Sequence, residues 1–338
     1  MSLNSLEEIA SFIVSEGKGI LAADESNPTC GKRFESIGVE STEKNRRDYR
    51  EMLFRSNGMK GNIGGVILFD ETIRQSSEDG STLVDIIKDQ GALPGIKVDK
   101  GLQPLNDSSE EVVTQGLDGL DERCKEYVSL GAKFTKWRAV IKIGENMPSD
   151  ECIEANMKAL ADYAKIVQDN GMVPMVEPEV LMDGEHSIDD CFKATERSLQ
   201  SLFRNLKDNN VDIKGTILKP NMVTSGSLAK DQADINEVAK RTLDCLISNV
   251  PPELPGITFL SGGQSDILAT AHLDAMNKIG GFNWKLSFSY GRALQAAALK
   301  AWKGKRENMF ISQDALSHRA SMNKLASLGE WDSGLEDQ

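Results

Sequence analysis

The sequence predicts an α/β protein that folds as a (β/α)8 barrel, the TIM-barrel architecture. Eight short apolar runs, rich in β-branched residues and bounded by glycine, lysine, proline or a turn, alternate with long amphipathic stretches. Such an alternation over 338 residues leaves two architectures, a closed barrel or an open doubly wound sheet. The count of eight runs and the lack of a glycine-rich dinucleotide turn favour the barrel.

The predicted strands are each followed by a segment with helical character. They cover residues 19–24, 65–70, 95–100, 132–137, 172–177, 215–219, 257–261 and 284–290. Residues 150–170 place apolar side chains at helical spacing and stop at Gly171, a residue type favoured just beyond a helix end. Residues 187–206 predict a second helix of this kind, with Ser187 as its N-cap.

No internal repeat or low-complexity linker divides the chain. We therefore expect a single barrel domain over residues 1–338, with a helical extension at the N-terminus and a short C-terminal tail. The most proline-rich stretch, residues 251–256, has the length of a helix-to-strand loop and not of a domain boundary.

The composition excludes several classes of protein. A net charge of −13 argues against a general binder of nucleic acid or of anionic membranes, because a polyanion would be repelled over most of the surface. Any anionic substrate must therefore bind in a local basic pocket. Residues 1–14 are acidic and typical of an amphipathic helix rather than of a signal peptide, and no segment has the roughly 20 apolar residues that span a bilayer. We expect a soluble cytoplasmic protein.

The cysteines and histidines argue against a disulfide framework and against a metal site. The cysteines are odd in number, widely spaced and without a CxxC pair: Cys30, Cys124, Cys152, Cys191 and Cys245. The three histidines, His186, His272 and His318, neither end a predicted strand nor pair at metal-ligand spacing. We therefore expect a reducing compartment and no metal or other cofactor.

Ionisable and small residues end nearly every predicted strand. In a (β/α)8 barrel the carboxyl ends of the strands surround the active site, so these residues converge although they are distant in sequence. A single lysine or aspartate at a strand end is ordinarily solvated, but this many together indicate a catalytic pocket. The residues at or just beyond the strand ends are Asp24, Asp70, Lys100, Lys136, Arg138, Glu177, Glu179, Lys219, Ser261, Gly262, Gly263 and Arg292.

Lys219 is the most informative of these residues. It ends a buried apolar run, and both burial and a second lysine such as Lys136 favour the neutral amine that attacks a carbonyl. Glu177 ends the strand between these two lysines and suits proton transfer during imine formation, although a turn with both acids facing water is the other reading of 177–179. Asp24 could remove a hydroxyl proton in retro-aldol cleavage. Alternatively, it could be the N-cap of the segment that follows it.

A glycine-rich turn and several basic residues are typical of phosphate-binding sites. Residues 260–265 enter a helix with backbone N–H groups unhindered by side chains, and Arg292 adds a bidentate partner for an anion. Lys32 and Arg33 suit a second phosphate, although a solvated pair on a helix explains them equally well.

Seven motifs together resemble the class I fructose-1,6-bisphosphate aldolases of plants, animals and some bacteria. They occur in the order of that family and span nearly the whole chain: residues 17–26, 97–101, 136–138, 176–179, 218–223, 260–265 and 289–295. The resemblance implies a (β/α)8 barrel, usually a homotetramer, that reversibly cleaves fructose 1,6-bisphosphate to dihydroxyacetone phosphate and glyceraldehyde 3-phosphate without a metal. This reaction belongs to glycolysis and gluconeogenesis, and its partners are sugar phosphates.

The resemblance also implies a role for individual residues. Lys219 would form the Schiff base, Glu177 would be the principal acid and base, and Lys136 would be its electrostatic partner. Asp24 would assist cleavage of the carbon–carbon bond. The residues expected to hold the C1 phosphate are Ser261, Gly262 and Arg292, those near the C6 phosphate are Lys32 and Arg33, and those lining the pocket are Lys100, Arg138 and Glu179.

The sequence departs from the family at its far end. The family typically ends in a mobile tail whose terminal tyrosine assists proton exchange on the enamine, whereas no tyrosine follows Tyr290 here. The late proton transfer, the preference for bisphosphates and activity on sedoheptulose 1,7-bisphosphate therefore do not follow from the resemblance. Two other functions remain: a transaldolase-like Schiff-base lyase acting on a monophosphorylated sugar, and a scaffold that keeps the barrel without turnover.

Overall fold

The computed structural model describes residues 3–107 and 109–337. The strands in this part of the chain are β1 (Gly19–Ala23), β2 (Ile63–Leu68), β3 (Leu93–Lys97), β4 (Leu102–Pro104), β5 (Val112–Thr114), β6 (Phe134–Ile141), β7 (Val173–Val180), β8 (Ile217–Leu218), β9 (Gly256–Phe259) and β10 (Lys285–Tyr290). Eight of them pair in parallel and close into a barrel in the order β1-β10-β9-β8-β7-β6-β3-β2, while β4 and β5 form a separate hairpin. The predicted (β/α)8 fold is confirmed.

Helices connect the barrel strands and cover the outside of the sheet. Within the same residues they are α1 (Leu6–Ile13), α2 (Asn27–Glu35), α3 (Glu43–Phe54), α4 (Asp70–Ile73), α5 (Leu83–Asp89), α6 (Leu120–Ser129), α7 (Asp150–Asp169), α8 (Ile188–Asp208), α9 (Ile235–Asn249), α10 (Asp266–Ile279), α11 (Arg292–Trp302) and α12 (Met309–Leu328). The two helices predicted in detail are confirmed: Gly171 follows α7 with a φ of 76°, and Ser187 caps α8. None of the described helices is long and apolar enough to span a bilayer.

An apolar plug fills the N-terminal end of the barrel. Ile20, Phe134 and Ile217 lie at or near the starts of their strands and pack in one cluster with Ile9 and Ile13 of α1. A Cβ added to Gly95 would lie 2.3 Å from the Phe134 ring, which is why β3 needs a glycine there. With this end closed by side chains, the charged residues are left to the opposite, C-terminal end.

Most predicted strand positions are confirmed, but several boundaries differ. β6 and β7 each run several residues past their predicted ends, because they pair with each other over eight consecutive residues. β8 is only two residues long. The β4–β5 hairpin was not predicted, since its strands are short and β4 is exposed, so neither shows a core pattern.

Candidate active site

The carboxyl ends of the barrel strands surround an open cavity of about 690 Å3. Its lining includes most of the predicted residues: Asp24, Lys32, Arg33, Lys136, Arg138, Glu177, Glu179, Lys219, Ser261, Gly262 and Arg292. Asp70, Lys100 and Gly263 do not line it. The prediction for Asp70 was wrong because β2 ends at Leu68 and Asp70 begins α4, where it borders a neighbouring cavity. Because the lining residues belong to six barrel strands or to the segments that follow them, closure of the sheet is what brings them together.

Strand alternation directs four of these side chains into the cavity. Successive side chains of a strand point to opposite faces, so Lys136 and Arg138 of β6 share one face, as do Glu177 and Glu179 of β7. Trp137 points the other way and stacks on a tyrosine of α7. These four residues lie within their strands, so the prediction that the strands end near them was wrong. The prediction that their side chains face the pocket does not depend on where the strands end.

Four of the cavity residues form a continuous chain of ion pairs. The Lys219 Nζ lies 3.1 Å from Glu177 Oε1, and the Lys136 Nζ lies 2.8 Å from Glu177 Oε2. Lys136 also reaches Asp24, with 3.3 Å between Nζ and Oδ2. No side chain of the four is more than 13% exposed, so these charges interact with little screening by water.

The lysines keep the two carboxyl groups ionised. Burial by itself raises the pKa of Asp24, but Lys136 and Lys219 outweigh it and lower the pKa to about 2. The pKa of Glu177 is also below its ordinary value, since Lys136, Lys219 and Arg138 outweigh the effect of burial. In the same way Asp24 and Glu177 raise the pKa of Lys136 although burial acts against this. Lys136 is therefore a fixed cation between two carboxylates.

A tight turn after β9 places Ser261 and Gly262 in the wall of the cavity. The Gln264 N–H donates to the Ser261 carbonyl over 3.1 Å, and Gly262 has a φ of 57°, in the left-handed region that favours glycine. Arg292, the first residue of α11, donates from Nη2 to the Gly262 carbonyl over 3.3 Å. Successive N–H groups in such a turn form a concave site for an anion.

A second pair of cations lies beside this turn. Lys32 and Arg33 belong to the last turn of α2 and line the cavity, where Arg33 forms an ion pair with Glu25. Arg33 lies next to Gly291, the residue preceding Arg292, so two guanidinium groups flank the same part of the cavity. Several basic residues thus line one cavity of a protein whose net charge is −13.

The comparisons with known proteins agree on one family. A family model described as fructose-bisphosphate aldolase class-I matches residues 5–338. The chain belongs to the class I fructose-bisphosphate aldolases. It is 54% identical to a "probable fructose-bisphosphate aldolase class 1" of Xanthomonas campestris over 98% of this chain and 99% of the relative. It is 52% identical to the muscle-type enzyme of Lethenteron camtschaticum over 96% of this chain and 90% of that one.

The fold comparison gives the same result. A solved fructose-bisphosphate aldolase from Plasmodium falciparum, in complex with TRAP and a small-molecule inhibitor, superposes with a TM-score of 0.96 at 46% identity. The match covers 97% of this chain and 95% of that one. The predicted family, the (β/α)8 fold and the class of reaction, a carbon–carbon lyase, are therefore confirmed.

Lys97 and Asp99 are among the residues of the aldolase cavity that were not predicted from the sequence. Lys97 ends β3 and forms an ion pair with Asp99, with 3.4 Å between Nζ and Oδ1, and both line the cavity. Lys100 was chosen instead because the apolar run extends to it, but β3 ends earlier. Lys100 is exposed and borders a neighbouring cavity of about 570 Å3, so its contact with substrate stays a prediction. The alternation of Lys97 and Asp99 along the run was the available signal.

The described part of the chain shows no group of side chains suited to binding a metal ion. Among residues 3–107 and 109–337, no three His, Cys, Asp or Glu side chains gather in a group that suits a metal ion. His272 is buried and its Nδ1 lies 2.6 Å from Gln264, while His318 lies beside Glu336. His186 borders a different cavity from the one containing Lys219.

Proposed function

We propose that this aldolase cleaves fructose 1,6-bisphosphate reversibly through a Schiff base on Lys219. The observation that carries the proposal is the buried ion-pair chain in which Lys219 lies 3.1 Å from Glu177 and Lys136 lies between Glu177 and Asp24. An amine, an acid–base group and a second carboxylate are the three groups that imine formation and retro-aldol cleavage require.

The first step forms the imine. The Lys219 ammonium gives one proton to Glu177, and the resulting amine attacks the C2 carbonyl of the open-chain ketose. Glu177 passes this proton to the former carbonyl oxygen, which gives a carbinolamine. It then takes a second proton from the nitrogen and gives it to the hydroxyl group, which leaves as water. The product is a protonated Schiff base, in which the Lys219 nitrogen and C2 of the substrate share the positive charge.

The second step breaks the bond between C3 and C4. Asp24 accepts the proton of the C4 hydroxyl, the C4 oxygen forms a carbonyl, and the electron pair of the broken bond moves into the iminium group. Glyceraldehyde 3-phosphate leaves and an enamine remains on Lys219. The nearby lysines lower the pKa of Asp24 and so keep it ionised at neutral pH, the form that can accept a proton.

The last step returns the enzyme to its starting form. After glyceraldehyde 3-phosphate has left, Asp24 releases its proton to water, and a proton from water is transferred to C3 of the enamine. Water then attacks the resulting iminium carbon, and dihydroxyacetone phosphate and the Lys219 ammonium are released. Glu177 is the group that we propose for the transfer to C3 and for those that accompany the attack of water, because it is the carboxylate nearest to Lys219. The iminium accepts the electrons of the broken bond, so the chemistry requires no metal or other cofactor.

The phosphate groups orient the ketose. We propose that Ser261, Gly262 and Arg292 hold the C1 phosphate, through the turn and the guanidinium group. Lys32 and Arg33 are proposed for the C6 phosphate. Arg138, Glu179 and Lys100 are proposed for the walls of the pocket. By analogy with the family we also propose a cytoplasmic homotetramer.

Trapping of the Schiff base tests the proposal. Borohydride reduction in the presence of dihydroxyacetone phosphate, followed by peptide mass analysis, should give a stable adduct on Lys219. The Lys219→Met variant should give no adduct, whereas Lys142→Met, which changes an exposed lysine just beyond β6, should behave as the wild type. An adduct confined to another lysine, or activity abolished by EDTA, would contradict the mechanism.

Removal of the second phosphate site separates this function from a transaldolase-like one. The double variant Lys32→Ala and Arg33→Ala should lower kcat/KM for the bisphosphate far more than for fructose 1-phosphate. An unchanged value for the bisphosphate would favour an enzyme that acts on a monophosphorylated sugar.

A further inference from the structure

One side chain outside the central cavity packs on the turn at residues 261–264, which we call the phosphate turn. Met182 lies in the loop after β7, and the Gly263 N–H donates to its Sδ over 2.9 Å. A Cβ added to Gly263 would lie 2.8 Å from that sulfur, and one added to Gly262 would lie 3.4 Å from it. Ser261 and Gly262 line the central cavity, but Gly263 and Met182 do not. Met182 therefore supports the turn without facing the substrate.

The backbone around Met182 is fixed from both sides. The Ser227 N–H donates to the Met182 carbonyl over 2.6 Å, and the Leu228 N–H donates to the Gly184 carbonyl over 2.9 Å. The preceding residue, Leu181, donates its N–H to the Ile141 carbonyl at the end of β6 over 2.9 Å. Because the end of β6 and the loop at residues 227–228 both hydrogen-bond to this segment, the backbone that carries the sulfur is held in place.

We propose that Met182 is a positioning residue for the C1 phosphate, and that its sulfur is an oxidation site that controls phosphate affinity. This inference rests on the proposed function of the turn. A phosphate gains most from N–H groups that are already oriented before it arrives, since no free energy is then spent on ordering them. The thioether is a weak acceptor that fills an irregular gap, so it orients the turn while leaving the cavity free.

Oxidation of this sulfur changes both its size and its polarity. Hydrogen peroxide transfers one oxygen atom to Sδ, which gives the sulfoxide, and the peroxide is reduced to water. The sulfur that gains the oxygen is the atom that accepts the Gly263 N–H, so its new size and polarity should alter this contact and shift the turn. Methionine sulfoxide is reduced back by sulfoxide reductases, which makes the change reversible.

Three variants test the positioning role. Met182→Ala removes both the acceptor and the packing, Met182→Leu removes the acceptor and keeps most of the packing, and Met309→Leu is a control on α12, away from the turn. In Met182→Ala we expect KM for fructose 1,6-bisphosphate and the inhibition constant of inorganic phosphate to rise about two- to tenfold. Met182→Leu should lie between Met182→Ala and the wild type, and kcat should stay close to the wild-type value.

The split between KM and kcat separates positioning from a general structural role. A drop in kcat and in Tm with KM unchanged would overturn the proposal, as would an unchanged inhibition constant for phosphate in Met182→Ala. The borohydride adduct in the wild-type protein tests the proposed reaction separately. If no adduct forms, the binding of inorganic phosphate to the turn can still be measured.

Peroxide treatment tests the oxidation site. In the wild type we expect one added oxygen on Met182 by peptide mass analysis, together with weaker inhibition by inorganic phosphate, and recovery after treatment with sulfoxide reductase. Met182→Leu should keep its phosphate affinity under the same treatment, whereas Met309→Leu should lose affinity as the wild type does. An equal loss in Met182→Leu and in the wild type would overturn this part of the proposal.

Discussion

Replacing Lys136 by methionine removes the charge that lies between the two carboxylates of the site. Lys136 lies 2.8 Å from Glu177 and 3.3 Å from Asp24, and its side chain is 6% exposed. Methionine keeps the volume of the aliphatic chain but provides no cation. Glu177 then keeps Lys219 as a neighbour, whereas Asp24 loses its closest ion-pair partner.

The size of the effect follows from the geometry. At an effective dielectric constant of about 20, two charges separated by about 3 Å attract each other by about 5 to 6 kcal/mol before the cost of desolvation. Measured losses on breaking a buried ion pair are about 3–5 kcal/mol. We therefore expect the free energy of unfolding of Lys136→Met to fall by about 3 kcal/mol or more at neutral pH.

The same change moves the pH dependence of catalysis. The pKa of Asp24 is about 2 in the intact site, and Lys136 is the largest charge that lowers it. Without this lysine, burial raises the pKa of Asp24 and that of Glu177. A higher pKa means that the carboxylates become protonated earlier as the pH falls, so the acid limb of kcat/KM against pH should move to higher pH.

The assay compares Lys136→Met with Lys142→Met. Both lysines belong to the same stretch of chain, but Lys142 is exposed and forms an ion pair with Glu110 at the surface. At neutral pH, kcat/KM of Lys136→Met should fall by about 10^2- to 10^4-fold, the range of acid–base contributions. Lys142→Met should keep its activity, with a stability within about 0.5 kcal/mol of the wild type. Equal activity, stability and acid limbs in the two variants would refute the reasoning.

Three further outcomes concern stability. Gly64→Ala should cost about 3 kcal/mol or more in urea unfolding, because the new Cβ would lie 2.1 Å from the Ile13 carbonyl oxygen and displace α1. Gly31→Ala, in α2 with 3.6 Å to its nearest neighbour, should be neutral or stabilise by about 0.5–1 kcal/mol, and equal losses in both variants would contradict the packing argument. Burial raises the pKa of Glu336, but the ion pair with Arg319 has the larger effect and lowers this pKa below 4.5. The ion pair therefore stabilises the fold fully above pH 4.5, and this stabilisation is lost as the pH falls through the lowered pKa. Glu336→Gln should therefore lower Tm at pH 7, with a difference that shrinks in acid; a constant difference would show that charge is not involved.

Much of the fold and of the site follows from local patterns. Apolar runs that alternate with amphipathic segments predict the barrel, because each parallel strand is covered on both faces while each helix buries one stripe. Glu177 and Lys219 were recognised because each ends a buried apolar run and because many of the other predicted strands end in ionisable residues as well. Both residues lie on the inner face whichever residue ends the strand, so errors in the strand boundaries did not affect them.

The exact ends of the strands could not be read in this way. A strand ends where its backbone loses its hydrogen-bond partners, and those partners come from distant parts of the chain. The Val98 N–H still bonds to the Lys136 carbonyl over 3.1 Å, but the Lys100 N–H bonds to the Gln115 carbonyl over 2.7 Å and joins the hairpin segment. This is why Lys97 lines the cavity and Lys100 does not.

The sequence by itself thus determined the barrel, the family and the chemical groups of the reaction, since these depend on residue types and on periodic spacing. Only the tertiary structure decided which lysine near the end of β3 faces the cavity, and that Met182 contacts the turn after β9, 81 residues away in the chain. Both depend on contacts between loops that are distant in the chain, and no local spacing encodes them.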